Sequence, residues 1–440
     1  MSENTNKSIT EFRKPEEMLT IELLQEEFDK VYLLADRGVL KVLSATVVAN
    51  KMDLDPVWLF LVGPSSGGKT EMINALESLE FVHPIDTMTV NTFASGQKRP
   101  GKETSLLLRI NDGIITYKDF TAILEMNKDA RREIMGQLRC IFDGKFVKRT
   151  GTGDDIHWQG KLGMVAAVTS IIHEKAAEFA VMGERFIQYE IAQPDRKQVS
   201  RRVFSNAHGM DAKRMHLQQC FKFYIEHVIQ KLDDIEIELA ADLKEEILDV
   251  ADFATKARSG LVKNERKPEQ VQFKPDAEMP MRVTGQLFTL ASALIGIDKT
   301  RPQYLSGNKA EGPVISKLSD DDKKLIYKIC LDSIPRKRRL ALQSLAKYRH
   351  GITTAGLAIK LSYHSDVMKA TLFELNALEL CDRRRDGGVD IWHLKEDYRD
   401  TICKYEGITA IDDKLQADDD VEDYSETNTN ISESFISDSF

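Results

Sequence analysis

The sequence predicts an α/β protein: a parallel β-sheet covered by helices on both faces, followed by a helical region, a compact C-terminal unit and a disordered acidic tail. Three observations carry that expectation. Short, wholly apolar runs of strand length alternate with stretches whose apolar residues recur at helical spacing, as in buried parallel strands joined by helices. A glycine-rich segment links one such run to one such helix. The formal charge of −9 over 440 residues is confined to the end of the chain. Residues 411–440 hold ten acids and one base, so the remainder balances at 60 basic against 60 acidic residues.

Residues 1–18 are polar, lack the apolar centre of a signal peptide, and read as a loose N-terminal arm. Leu19, Leu23, Leu24, Phe28, Val31 and Leu34 then recur at helical spacing, and a second helix is expected over 39–50. Asp55-Pro56 breaks that pattern, and residues 57–62 form a short apolar run closed by Gly63-Pro64, a buried strand. Helical spacing returns over 70–79, and further buried strands are expected at 81–85, 114–117, 162–168 and 185–191. Together these make a core over residues 19–198. Residues 199–298 read as helical, interrupted by a charged, proline-containing stretch before a helix at 283–295. Residues 299–320, rich in Gly, Pro, Ser and charge, read as a linker. A compact unit at 321–405 and the acidic tail at 406–440 complete the chain.

Five scattered cysteines with no C-x-x-C pair argue against a disulfide framework or a zinc site and fit a reducing cytoplasm. No apolar run approaches the roughly 20 residues that span a bilayer. A soluble cytoplasmic protein without a membrane partner is expected.

The sharpest motif is Gly63-Pro64-Ser65-Ser66-Gly67-Gly68-Lys69-Thr70, which fits G-x-x-x-x-G-K-[ST]. Its glycines let backbone N–H groups curl around phosphate oxygens, and the helix that follows presents its N-terminus to the same charge. Lys69 would reach the β- and γ-phosphates of ATP, and the Thr70 hydroxyl would bind Mg2+. Such a loop needs a second carboxylate for the metal. Asp119, at the end of the strand-like residues 113–118, is the candidate, with a helix N-cap before residues 120–126 as the alternative. Many ATPases of this type place a glutamate directly after that aspartate to polarise water. This chain has Phe120 there, and Glu125 lies further along, so the catalytic base stays open.

These residues resemble AAA+ ATPases, especially the branch of the minichromosome-maintenance helicases and related bacterial and phage ATPases. The likeness covers roughly residues 30–300 and rests on motifs in the family's order. GKLGMVAAVTS is similar to the sensor-1 strand, which implies that Thr169, or Ser170, faces the γ-phosphate. MGERF is similar to the arginine-finger segment, implying that Arg185 is offered to a neighbouring subunit. MPMRVTGQLFTLASAL is similar to the sensor-2 helix and nominates Arg282. The resemblance thus implies a three-layer AAA+ sheet with a helical lid and Asp119, Thr169, Arg185 and Arg282 as catalytic residues. It also implies a homo-oligomeric ring, a hexamer being one candidate. A guanidinium supplied in trans can raise phosphoryl transfer by roughly 10³–10⁵, which ties turnover to assembly.

Between Asp119 and the sensor-1 strand, CIFDGKFVKRTGTGDDIHWQGKLG reads as a β-hairpin around a Thr-Gly-Thr-Gly-Asp-Asp turn. It resembles the hairpin that helicases of this branch project into the ring pore. Lys145, Lys148 and Arg149 are the residues expected to meet DNA phosphates. Asp154 and Asp155 at the tip leave a structural or interface hairpin equally open.

In the C-terminal unit, helices are expected over 338–348 and 353–361, and a third runs from a Ser365 cap to about residue 380. CDRRRDGGVDIWHL then reads as a hairpin turning at Asp386-Gly387-Gly388. The set resembles a winged helix-turn-helix, whose third helix enters the major groove. Residues 335–405 hold fourteen bases and nine acids, with clusters at residues 336–339 and at Arg383, Arg384 and Arg385, an electrostatic footprint for DNA. His364, Asp366, Lys369 and Glu374 on the third helix are no obvious base-reading set, and a protein-docking role is the alternative. The tail, ending in Phe435 and Phe440, is read as a solubilising end or as a segment that competes with DNA or docks a protein partner.

The expected function is an oligomeric, ATP-driven motor or switch on DNA, helicase-like, in phage or mobile-element replication. Two alternatives stand beside it. One is a nucleotide-gated regulator with slow hydrolysis, whose winged helix docks protein or one DNA site. The other is an initiator or helicase loader.

Overall fold

The structure is a computed structural model that describes residues 12–95, 103–149, 155–175, 185–206, 208–232, 235–263, 271–274, 276–302 and 314–411. The hairpin tip at 150–154, residues 303–313 of the linker and the tail beyond Ile411 lie outside the described residues. The chain divides into two compact units, Met1–Lys175 with Met182–Leu248 and Met281–Asp332, and Ala176–Val181 with Asp249–Pro280 and Ser333–Phe440.

The first unit opens with α1 (Ile21–Val31), α2 (Gly38–Lys51), β1 (Trp58–Val62) and α3 (Lys69–Asn74). It continues through β2 (Val82–Ile85), β3 (Asp112–Tyr117), α4 (Thr121–Glu125), α5 (Lys128–Phe142), β4 (Lys145–Arg149), β5 (Asp155–Gln159), β6 (Lys161–Val168), α6 (Ile171–Glu174) and β7 (Ile187–Glu190). The five strands expected from apolar runs form one sheet in the order β2-β3-β6-β1-β7, every neighbour parallel. All of β1 and all but the first residue of β6 are buried, so helices cover both faces at the centre of the sheet. That is why these strands read as unbroken apolar runs and not as alternations.

Helix α1 starts where the Thr20 side chain accepts the Leu23 N–H, and it buries Ile21, Leu24, Phe28 and Val31. The described part of the N-terminal arm is tied to it: Met18 is buried and the Arg13 N–H donates to Glu27. At the end of α2, the Asn50 amide donates to Val57 O and accepts from Val57 N, joining the helix to the entry of β1. A Cβ on Gly163 would lie 2.3 Å from the Asn50 side chain, so β6 needs glycine at that crossing.

The helical region contains α7 (Arg196–Ser205), α8 (Met210–Leu232), α9 (Ala241–Arg258) and, further on, α10 (Met281–Lys299), which packs against α2. It also holds β8 (Ile237–Leu239), paired in parallel with β11 (Val314–Ser316) from the end of the expected linker. Three-residue strands are too short to show a period, so neither was legible in the sequence. Between α9 and α10, β9 (Val262–Lys263) and β10 (Val271–Phe273) form an antiparallel pair. Helix α11 (Asp320–Leu331) closes the first unit, its N-cap Ser319 accepting the Asp322 N–H.

The second unit contains α12 (Arg336–Lys347), β12 (Ile352–Thr353), α13 (Thr354–Leu361), α14 (Ser365–Ala377), β13 (Cys381–Asp386), β14 (Val389–Leu394) and α15 (Glu396–Glu406). Strands β12, β14 and β13 make a small antiparallel sheet. Gly387 and Gly388 form its two-residue turn with φ of 54° and 91°, the left-handed pair that a tight hairpin requires. Ser365 is not the cap of α14: His364 is, its side chain accepting the Asp366 N–H while Ser365 begins the helix. Among the described residues no helix is long and apolar enough to cross a membrane.

Candidate phosphate site

The C-terminal ends of three adjacent strands converge on one edge of the sheet. Strand β1 ends at the glycine-rich loop, β6 at Thr169, and β3 leads through Lys118 to Asp119. In parallel sheets this edge is where ligands bind, because the helices that follow point their N-termini outward there.

The loop is held by its own backbone. Gly63 N–H donates to Val168 O at 3.2 Å and Gly67 N–H to Pro64 O at 3.1 Å. A Cβ on Gly67 would stand 2.9 Å from Pro64 O, and Gly68 has φ of 82°. Ser66, with a side chain, has φ of 60°, a sparsely occupied conformation that a tightly determined loop can hold. Lys69 is buried and its Nζ donates to Gly63 O at 2.8 Å and Pro64 O at 2.6 Å. Burial pushes its ammonium below the ordinary lysine range, while the charge of Asp119 pulls it back up. Pro64, Ser65 and Thr70 are exposed around it.

Asp119 is exposed, and its Oδ1 accepts the Thr121 N–H at 3.1 Å. It is not the N-cap of α4, a place taken by Phe120. The exposed Thr70 hydroxyl and Asp119 carboxylate are hard oxygen donors of the kind Mg2+ prefers, so this pair fits the metal expected with a nucleotide. Phe120 points the other way. It is fully buried, edge-on to Phe60 at 4.8 Å and to Phe186 at 5.6 Å, and its N–H donates to Ala167 O. The position after Asp119 therefore belongs to the core under the sheet. Thr169 meets Thr121, the Thr169 N–H donating to Thr121 Oγ1 at 3.2 Å and the two hydroxyls lying 3.3 Å apart.

Arg185 and Arg282 stand elsewhere. Ile187 pairs with Leu59, so Arg185 lies before the start of β1, about five residues or roughly 16 Å along the strands from Val62. The loop is at one edge of the sheet and Arg185 at the opposite one. Its guanidinium is 12% exposed and 3.4 Å from Asp143. Burial, then the like charge of Arg282, hold its pKa below the usual arginine value, against the pull of Asp143, with Arg139 adding to the repulsion. Gln286 ties this edge together, donating to Arg185 O and accepting the Trp58 N–H.

Glu71, which sequence reasoning passed over, ties the loop's helix to its surroundings. It accepts from Tyr32 at 2.8 Å and from Arg214 at 2.7–3.2 Å. Arg214 lies 143 positions away, so no local pattern could have paired them.

The residues expected to meet DNA divide by face. On β4, Lys145 and Arg149 are exposed with Val147, whereas Lys148 turns back to Ala94 O and Glu133. Phe146, Ile156 and Trp158 bury the inner face of the β4-β5 hairpin. In the second unit Arg383, Arg384 and Arg385 are all exposed, Arg383 pairing with Asp390 at 2.7 Å and lying over the Phe373 ring and Arg385 reaching the same carboxylate at 4.0 Å. The basic run at 336–339 is partly structural: Arg338 is buried on Glu374, Ala257 O and Ser259 O, and Arg339 pairs with Glu406. Glu374 is thus inside the unit and is not presented by the third helix.

No model of a known protein family matches the chain, and no curated protein does. Among the described residues no group of three or more His, Cys, Asp or Glu is placed to hold a metal by itself.

Proposed function

We propose that the chain is an ATP-binding and hydrolysing P-loop protein of the AAA+ kind. The observation that carries this reading is the convergence of the Gly63–Thr70 loop, Asp119 and Thr169 on the C-terminal ends of adjacent parallel strands. In this reading the loop N–H groups and Lys69 hold the phosphates, and Thr70 and Asp119 hold Mg2+, which would neutralise charge on the phosphate oxygens. Arg185 is too far along the sheet to serve its own loop. Its place at the opposite edge beside Arg282 supports a role in completing a neighbouring subunit's site, hence a homo-oligomeric ring. The exposed Lys145 and Arg149, with Arg384 and Arg385 on a unit that resembles a winged helix-turn-helix, support DNA as the partner, as in a replication motor.

A second reading, a nucleotide-gated switch or loader with slow turnover, is favoured by one specific observation. The place where a glutamate would polarise water is filled by a core phenylalanine. ATPase and strand-displacement assays with and without single- and double-stranded DNA separate the two. Lys69→Ala is expected to abolish ATP binding. Arg185→Ala is expected to keep binding and lose turnover, and unchanged turnover would reject the arrangement in trans.

A further inference from the structure

In the segment Asp119-Phe120-Thr121, which leads from the end of β3 into α4, Phe120 is anchored in the core and its two neighbours stand at the sheet edge. Thr121 is bonded on both sides. Its N–H donates to Asp119 Oδ1 at 3.1 Å, and its Oγ1 accepts the Thr169 N–H at 3.2 Å. A hydroxyl has one proton and two lone pairs. With one lone pair of Thr121 taken by that N–H, the 3.3 Å contact between the two hydroxyls has two arrangements. Either Thr121 donates and the Thr169 proton is released, or Thr169 donates and the Thr121 proton is released. In both, the pair presents one hydroxyl proton at the edge where the loop and Asp119 converge, and the N–H bond fixes its place.

Resting on the ATPase reading, we propose that Thr121 is a positioning residue for hydrolysis. It orients the Asp119 carboxylate through its backbone and holds Thr169 through its side chain, so that the hydroxyl pair presents one free proton. Without Thr121, Thr169 would have a rotating hydroxyl and an N–H lacking this acceptor. Pre-oriented donors are what stabilise charge developing on a transferring group, because they need no reorganisation at the moment of reaction.

The test uses the full chain with Thr121→Val, Thr121→Ser and Lys69→Ala, reading steady-state ATPase, fluorescent-ATP binding with Mg2+, and thermal unfolding. Thr121→Val is expected to lower kcat by about tenfold or more, with nucleotide Kd and unfolding midpoint little changed, and Thr121→Ser to restore most of the rate. Wild-type turnover in Thr121→Val overturns the proposal. So does a parallel loss of binding, rate and stability in both Thr121 variants, which marks a purely structural stitch. The underlying reading fails separately, when the wild-type chain does not bind ATP or Lys69→Ala hydrolyses it normally; a wild-type chain that binds ATP but never turns it over removes the positioning role as well.

Discussion

Phe120 shows how one side chain sets the chemistry around it. β3 ends at Tyr117, and Phe120, in helical conformation where the next helix starts, fills the space against Phe60 and Phe186. A glutamate there would place a carboxylate among aromatic rings, where an unpaired charge costs several kcal/mol. Phe120→Glu is therefore expected to destabilise the chain by about 3–5 kcal/mol in urea unfolding, without a gain in ATPase rate. Gly67 is constrained more tightly still. Gly67→Ala pushes a methyl against Pro64 O, and the expected outcome is a loss of nucleotide affinity in a binding titration, with the fold retained.

Between elements, the Glu71 contact joins α3 to α8 and to the end of α1. Burial raises the Glu71 carboxyl pKa, but hydrogen bonds from Arg214 and Tyr32 and the charges of Arg214 and Lys118 outweigh it and hold it below the ordinary value. A depressed carboxyl stabilises the fold above its unfolded pKa, and that contribution is lost as pH falls through the folded value. Unfolding midpoints of the wild-type chain and Glu71→Gln should accordingly differ at neutral pH and converge in acid, below the ordinary glutamate range. In the second unit, Arg338 bridges α12 to α14 and to the carbonyls of Ala257 and Ser259. Arg338→Met leaves Glu374 buried without that partner and is expected to cost about 3–5 kcal/mol in chemical unfolding. Because Arg338 is buried, an effect on DNA binding that is not accompanied by lost stability would contradict this assignment.

For the whole molecule, the charge belongs to the last thirty residues, and the body before them is neutral. If the tail competes with DNA, truncation after residue 410 should tighten duplex binding at low salt and make no difference at high salt, where screening shortens the range of charge. Unchanged binding at low salt identifies it as a solubilising end. The separation of Arg185 from the loop has a consequence at the same scale. If Arg185 completes a neighbouring subunit's site, ATPase rate per subunit should rise with protein concentration, measured together with the mass of the protein in solution.

The sheet was legible because strands buried on both faces leave unbroken apolar runs, and the loop because closely spaced glycines followed by Lys-Thr mark a tight turn between strand and helix. Asp119 and Thr169 were legible for a related reason: each follows such a run. The unseen part was non-local. Arg214 with Glu71, Gln286 with Trp58 and Arg338 with Glu374 are pairs far apart in the chain, chosen by packing and not by period. A run of bases likewise looks uniform in sequence until folding assigns faces. Arg338, Arg339 and Arg383 then serve the unit's own carboxylates, Arg385 reaches the Asp390 carboxylate at 4.0 Å, and Arg384 is left to the solvent side. By itself the sequence determined the parallel sheet, the glycine-rich loop between strand and helix, and the location of the charge. Tertiary structure alone decided that Phe120 is core, that Thr121 meets Thr169, and that Arg185 lies at the opposite edge from the loop, since strand register places side chains that no local spacing can relate.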